Sequence, residues 1–386
     1  RDRSMTFAPQ SKVDFQCNIP LYDYQEKAKD ALVESGRGIL QSAAGSGKTQ
    51  IGIALACEIG EKALWLTHTR DLLLQSKSRA EQYMSSALTG TITEGRVQIG
   101  KGITFATVQT MCNLDLSRYR DTWGCVIVDE CHRVAGTPTA VTQFSKVLSS
   151  LAARHKYGLS ATVHRADGMI AATYALLGKI AYQVPDEAVA DKIMTVSVLP
   201  RPTQIGLSKE FLDTDGTIIY AKLINYLAED FRRNGQIVGD LMLNAEHYNL
   251  VLSDRLAHLE YLMAHLPKHL RDQAVMVDGK MTSKKGKAKR EQAIEDMRAG
   301  KKHYLFATYA LAKEGLDIPR LDRLYLTTPQ KDYAIITQSV GRIARTFEGK
   351  GEPIAYDYVD NGIQYLVRSY KKRCTSYRKC GCKILE

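Results

Sequence analysis

The chain has 386 residues, 44% hydrophobic and 25% charged, a composition that excludes a disordered or fibrous protein. No apolar run approaches the roughly 20 residues of a membrane span, so a helical membrane protein is excluded as well. Its 53 Lys and Arg against 42 Asp and Glu leave a formal net charge of +11, which favours a polyanionic partner through counterion release.

At roughly 100–200 residues per domain, the length predicts two domains. The first half alternates short apolar runs with amphipathic helical patterns. GRGILQSA (36–43), KALWLTH (62–68), ITFATV (103–108), CVIVDE (125–130) and KYGLSA (156–161) read as strands buried on both faces. QEKAKDALVES and TQIGIALACEIG carry apolar residues at helical spacing. The alternation predicts a mainly parallel sheet flanked by helices. After Pro200, Pro202 and a helical stretch ending near 245, the pattern resumes with YNLVLSD (248–254), QAVMVDG (273–279), KHYLFAT (302–308), DRLYLTT (322–328) and EPIAYDYV (352–359). The expected division is a domain at 1–195, a connecting segment at 196–245 with part of it packed on the second domain, and a second α/β domain at 246–386.

GRGILQSAAGSGKTQIGIALA places a small-residue loop between a strand and a helix, the setting a phosphate loop requires. Gly45 and Gly47, with Ala44 and Ser46, let backbone N–H groups surround phosphate oxygens at the positive end of the helix. Lys48 then reaches the β- and γ-phosphates of ATP, and the Thr49 hydroxyl binds Mg²⁺. Ser42 stands where the strict pattern has glycine.

CVIVDECHRV supplies the acidic partner. Asp129 leaves the C-terminal end of an apolar strand, where it can hold Mg²⁺, and Glu130 can orient and activate the water that attacks the γ-phosphate. Asp129, Glu130, Cys131 and His132 are each possible zinc ligands, but four consecutive side chains cannot all face one ion. Cys131 is expected to be a small buried residue and His132 a polar link toward the neighbouring domain.

Eight cysteines follow no regular spacing, which suits a reducing cytoplasm, and RDRSMTFAPQ has no apolar core of a signal peptide. Cys374, Cys380 and Cys382 lack the paired spacing of a zinc ribbon, so thiols on a terminal helix are expected there. KKGKAKR (284–290), including Lys284 and Lys285, is a basic patch before a helix expected to begin near Arg290. The C-terminal segment mixes cations with Tyr365, Tyr370 and Tyr377, a composition able to neutralise phosphates and stack on bases.

The order of these motifs resembles that of superfamily-2 helicases and translocases over nearly the whole chain. The resemblance implies two RecA-like domains with the ATP site in the cleft between them. It also implies that Gln25 in PLYDYQ reads adenine. LTHTRDLLLQ (66–75), with Thr69, Arg70 and Gln75, and ATVQT (106–110), with Thr107 and Gln109, look like motifs that contact the nucleic-acid backbone. LSATVHRADG (159–168) looks like the motif linking hydrolysis to strand movement through Ser160, Ala161 and Thr162. LVLSDRLAHLE (250–260) resembles the fourth motif. In FATYALAKEGLDIPRLD (306–322), Thr308 would face nucleic acid, with Glu314, Gly315 and Asp317 near ATP. In QSVGRIAR (338–345), Gln338, Arg342 and Arg345 fall at the family's spacing, the arginines as fingers that stabilise charge on the γ-phosphate.

The DECH form, the Ser-Ala-Thr motif followed by Arg-Ala-Asp-Gly, and the compact length are similar to phage recombination and repair helicases of the UvsW and RadD kind and to the XPB-like branch. This implies a monomeric DNA helicase or translocase in replication, recombination or repair, acting on branched or partly single-stranded DNA in the cytoplasm of a bacterial host, with partner proteins of such a complex. An RNA helicase of the same superfamily is the alternative enzyme. A scaffold that binds nucleic acid without hydrolysing ATP is the alternative from another class, and the intact Lys48, Asp129, Glu130, Arg342 and Arg345 argue against it.

Overall fold

The computed structural model describes residues 7–10, 12–43, 45–135, 138–161, 170–189, 193–279, 284–313, 316 and 318–385, in two compact units, Arg1–Val189 and Ala190–Glu386. The first unit is built on β1 (Arg37–Gln41), β2 (Ala63–Thr67), β3 (Thr89–Thr93), β4 (Arg96–Gln98), β5 (Ile103–Thr107), β6 (Cys125–Asp129), β7 (His155–Ser160) and β8 (Ile180–Gln183). They form one sheet in the order β4-β3-β5-β2-β6-β7-β1-β8, parallel except for the β3–β4 pair at its edge. Every residue of β2, β5 and β6 is buried, the signature of a sheet covered on both faces. Leu64, Leu66, Ala106, Val126 and Val128 pack into one core. On the opposite face the helix Lys48–Ile59 comes so close at Gly52 that a Cβ there would lie 2.7 Å from Leu159 and from the Trp65 ring.

The second unit repeats the plan. Its strands are β9 (Ser197–Thr203), β10 (Asn249–Ser253), β11 (Ala274–Val277), β12 (Tyr304–Thr308), β13 (Arg323–Leu326), β14 (Ile354–Asp360) and β15 (Lys383–Ile384). All pairs are parallel, in the order β11-β12-β10-β13-β14-β9-β15. Alternate residues divide between two cores: Leu250, Leu252, Leu305 and Leu324 face one, while Val251, Tyr304, Phe306 and Tyr325 face the other. Among the described residues no helix is long and apolar enough to cross a membrane.

All ten strands expected from apolar runs are present. Five others escape that reading. The stretch expected as a connection contributes β9, whose Pro200 and Pro202 read as strand breakers. Val196 and Val198 carbonyls accept from Lys383 and Leu385 N–H groups, so Pro200 and Pro202 face the same side, beyond the end of β15, where no N–H is required. The rest of that stretch forms helices Tyr220–Glu229 and Phe231–Leu243, and Ile237, Val238 and Leu241 of the latter pack on the second sheet.

Two local expectations are corrected. The helix expected to begin near Arg290 runs Lys284–Arg298, so the lysine patch is its first turns; Lys285 is exposed, and the Lys284 side chain lies outside the described residues. In the C-terminal helix Gln364–Lys379, Tyr377 is fully buried and donates its hydroxyl to Asp357 Oδ2 at 2.8 Å, so it offers no stacking surface. All eight cysteines are free thiols, with Cys380 Sγ 3.2 Å from Thr337 Oγ1.

His258 gives the second unit a pH dependence. It is buried, with Nε2 2.9 Å from Asn234 Oδ1 and Nδ1 3.0 Å from Ser253 Oγ. Burial, aided by the nearby Arg233, pushes its pKa down to about 3. The folded imidazole stays neutral while the unfolded one protonates below about 6.5, so its stabilising effect is present above that pH and is lost as pH falls toward 3. In urea unfolding, the stability advantage of wild type over His258→Gln should shrink by about 2 kcal/mol between pH 7.5 and 5; a pH-independent difference would contradict a neutral buried imidazole.

Candidate active site

The loop after β1 is held from below. Gly45 and Gly47 have φ of +88° and +81°, left-handed conformations that glycine adopts without strain. Ser42 continues the β1–β7 ladder, its N–H donating to Ser160 O at 3.0 Å, and its hydroxyl donates to Ser46 Oγ at 2.6 Å. The serine in place of the pattern's first glycine therefore ties the two sides of the loop together. The Ser46 carbonyl accepts from Tyr24 Oη at 2.8 Å and from Gln25 Nε2 at 2.9 Å. Gln25 Oε1 accepts the Tyr22 N–H at 3.0 Å, so both ends of this buried amide are engaged and it braces the loop. Lys48, at the first position of the following helix, donates to the Ser42 and Ala43 carbonyls at 3.2 and 3.1 Å. Thr49 follows it in the first turn, half-buried, and Ala44 lies outside the described residues.

Parallel register brings the other groups to the same edge. Gln41 pairs with Ser160, Leu159 with Asp129, Val128 with Leu66, and Thr67 with Thr107. Asp129 is buried; Oδ1 accepts the Glu130 N–H at 3.0 Å and Oδ2 the Ser76 hydroxyl at 3.4 Å. Burial first, then the Glu130 charge, pushes the Asp129 carboxyl up to about 7 against the pull of Lys48. Glu130 itself has φ +49°, an uncommon and strained state for a residue with a Cβ. Its Oε2 lies 3.2 Å from His132 Nδ1, off hydrogen-bond alignment. Burial would raise the Glu130 carboxyl, but His132, Lys48 and Arg133 outweigh it and hold it below the ordinary range. His132 Nδ1 is also 3.0 Å from Ser160 Oγ, which links the DECH turn to β7.

Cys131 turns the other way. It is fully buried, and a Cβ at Gly158 would lie 2.8 Å from its Sγ. Among the described residues no three such side chains gather where they could hold one metal ion. Thr49 and Asp129 are hard oxygen donors of the kind magnesium prefers, and a cation at Asp129 would reverse the effect of burial on its proton. The set fits a magnesium nucleotide.

Residues expected at nucleic acid lie at or near this edge in other roles too. Thr69 caps the helix Arg70–Ala80, accepting the Leu72 N–H at 3.4 Å, and Arg70 Nε is 3.4 Å from Glu94 Oε1. Gln75 lies on the same helix. Thr107, buried, caps Val108–Cys112 through the Thr110 N–H at 3.4 Å. Gln109 Nε2 is 3.3 Å from His68 Nδ1. Ala161 directly follows β7, and Thr162 lies outside the described residues.

In the second unit, Thr308 ends β12 opposite Ser253. Gln338 and Arg342 share the helix Tyr333–Ile343; Arg342 Nη1 donates to Leu316 O at 3.2 Å, and Gln338 Oε1 is buried with no hydrogen-bond partner among the described residues. The Arg345 carbonyl accepts from Lys350 Nζ at 2.7 Å. Glu314, Gly315 and Asp317 lie outside the described residues. Sequence reasoning missed Tyr24 and Ser76. Tyr24 adjoins Gln25 in PLYDYQ, an available signal, whereas Ser76 is one more serine on an amphipathic helix.

Two domains of this parallel α/β plan define the tandem RecA-like class. The model of the type III restriction enzyme res subunit matches residues 18–165, and that of the helicase conserved C-terminal domain matches residues 235–347. The chain belongs to superfamily 2 of the helicases and is an ATP-dependent helicase. An Escherichia phage T5 protein named as a helicase is 25% identical over 380 residues, covering 98% of this chain and 77% of its own. An Acanthamoeba polyphaga mimivirus protein named as an ATP-dependent RNA helicase is 26% identical over 374 residues, 93% of this chain and 68% of its own. A Halobacterium salinarum protein named as the DNA 3′-5′ helicase Rad25 is 30% identical over 191 residues, 46% of this chain and 29% of its own. In fold, S. cerevisiae Dbp5 bound to RNA and ADP BeF3 matches with a TM-score of 0.64 at 17% identity, covering 94% of this chain and 89% of that one.

Gly47 offers a direct test of the loop. An alanine there would be strained at φ +81°, and its Cβ would press on the Gln25 amide and lie 2.8 Å from Gln50 Oε1. Gly47→Ala should lower stability by ~1–2 kcal/mol and weaken a fluorescent ATP analogue at least about 10-fold, the equivalent of ~1.4 kcal/mol. Unchanged nucleotide affinity would mean that the loop does not hold the phosphates.

Proposed function

We propose that this helicase hydrolyses ATP at the β1 loop with Mg²⁺ and uses it to move along DNA, remodelling branched or partly single-stranded intermediates in replication, recombination or repair. The observation that carries the ATPase part is the gathering, at one sheet edge, of the glycine loop, Lys48, Asp129 and Glu130. Ala44, Gly45, Ser46, Gly47 and Lys48 would hold the phosphates, and Thr49 and Asp129 the Mg²⁺. The ion would neutralise phosphate charge. Glu130, ionised at neutral pH, would orient the attacking water and accept its proton. Gln25, already spent on Ser46 and Tyr22, would act by bracing the loop, with any contact to adenine made from that position. His132 and Ser160 would report the state of Glu130 to the motif that begins at β7. Arg342 and Arg345, with Gln338, are the proposed stabilisers of γ-phosphate charge, and Glu314, Gly315 and Asp317 the proposed ATP-side residues beside them. Thr69, Arg70, Gln75, Thr107, Gln109, Thr308, Lys284 and Lys285 are the proposed nucleic-acid contacts.

DNA is favoured by the Rad25 name of the Halobacterium relative and by the XPB names of others. The mimivirus relative's name favours RNA as the second reading. Motors of this kind grip backbone phosphates, so sensitivity to the 2′-hydroxyl separates the two.

Steady-state ATP hydrolysis measured alone and with single-stranded, forked and duplex DNA or single-stranded RNA, each at two salt concentrations, tests the assignment. Stimulation by DNA, weaker at higher salt, is expected. Greater stimulation by RNA would move the substrate to RNA. Glu130→Gln should keep nucleotide affinity within a few-fold while hydrolysis falls by about 10²–10⁴; a variant as active as wild type would remove Glu130 from the mechanism.

A further inference from the structure

We propose that the first unit carries a second anion site, at the edge of its sheet opposite the phosphate loop, that takes a nucleoside phosphate. A cavity of about 460 Å³ opens there, within the ordinary size for a small-molecule site. Arg37, Arg120, Arg154 and Lys156 line it, and among the described residues no Asp or Glu does. Arg37 begins β1 and pairs in register with Lys156 of β7, and like charges directly opposite each other on adjacent strands repel.

Lys156 cannot swing away from this repulsion. Its ammonium donates to the Leu148 and Leu151 carbonyls at 2.6 and 3.2 Å, at and just beyond the C-terminal turn of the helix Pro138–Ser150, where a cation is favoured. Burial, and then Arg37, lower its proton affinity. Arg120 has a carboxylate neighbour, Asp121 at 2.8 Å, but that acid lies outside the cavity lining. An anion seated among these cations would offset their mutual repulsion.

The apolar part of the cavity selects the class of anion. Phe7 stands at its rim, 47% exposed, with the Arg154 guanidinium 5.3 Å from the ring centroid. The neighbouring Ala8 N–H is fixed to Ala152 O at 2.8 Å, which holds Phe7 in place. A flat base can stack on a ring or a guanidinium while its phosphate meets the cations. This site is distinct from the one at Lys48: β1 and β7 run from Arg37 and Lys156 at the cavity to Gln41 and Ser160 at the loop, a span of about 13 Å. Nucleoside phosphates come from two sources, free nucleotides and the strand of a nucleic acid.

The test compares the full chain with a variant carrying Arg37→Gln and Arg154→Gln, the phosphate-loop site being saturated with a non-hydrolysable ATP analogue. AMP and a 5′-phosphorylated single-stranded oligonucleotide are titrated in turn, the oligonucleotide at two salt concentrations. Weakening of AMP by about 10-fold or more supports the site with a free nucleotide as occupant. Weakening of the oligonucleotide alone, with a salt dependence shallower by about two phosphate contacts, supports it with a strand as occupant. Unchanged affinity for both overturns the proposal. Basal ATP hydrolysis should be unaltered, which separates this outcome from a failure of the assignment at Lys48. Relief of the repulsion should leave the urea midpoint of Arg37→Gln equal to or above that of wild type; a lower midpoint would show that Arg37 is held by attraction and would also overturn the argument.

Discussion

The parallel register of β6, β7 and β1 is the constraint on which the chemistry rests. In a parallel ladder all strands end at the same edge, so one set of backbone hydrogen bonds fixes the distance between a loop after β1 and a carboxylate at the end of β6. The Ser42 N–H donating to Ser160 O extends that ladder by one residue into the loop itself. A shift of one residue in β6 would turn Asp129 to the other face of the sheet, away from Ser76. The buried apolar strands therefore do more than build a core. They convert positions remote in sequence, 42 and 129, into neighbours at one edge.

The two units treat buried charge in opposite ways. In the second, Asp357 and Asp360 of β14 are both neutralised: Arg373 meets Asp357 through two nitrogens at 2.8 and 2.9 Å, and Arg233 meets Asp360 at 2.8 Å. Removing one partner of such a pair costs about 3–5 kcal/mol, so these contacts fix the helices Phe231–Leu243 and Gln364–Lys379 to the sheet. In the first unit Asp129 accepts only hydrogen bonds from Ser76 and the Glu130 N–H among its described contacts, and burial raises its proton affinity. That arrangement is costly as a structural device and suited to a cation-binding one. The positive φ of Glu130 belongs with it: strain of order 1–3 kcal/mol persists where surrounding contacts fix the backbone.

Much of this was legible in the sequence because apolar runs such as CVIVDE and YLFAT are long enough to declare buried strands, and because a glycine loop between a strand and a helix has few other uses. The strands that escaped have physical reasons. β4, RVQ, is exposed throughout and pairs on one side only; β9 carries two prolines that only its position beside the short β15 excuses. Side-chain partners were less legible than positions. Gln25 read as a base-contacting residue is also a brace for Ser46, and Tyr377 read as a stacking surface is an anchor for Asp357. Both kinds of role demand the same residue type, and only the fold decides between them.

The same ladder explains why the two ends of the first sheet differ electrostatically. At the C-terminal edge, Asp129 and Glu130 lie beside Lys48, whose charge lowers the proton affinity of both. At the N-terminal edge, the register that aligns Gln41 with Ser160 necessarily aligns Arg37 with Lys156 four residues earlier. The pairing cannot slip to separate those cations without also dismantling the phosphate loop. Repulsion at one edge is thus a consequence of geometry required at the other, and a site for an anion is a way for the fold to tolerate it.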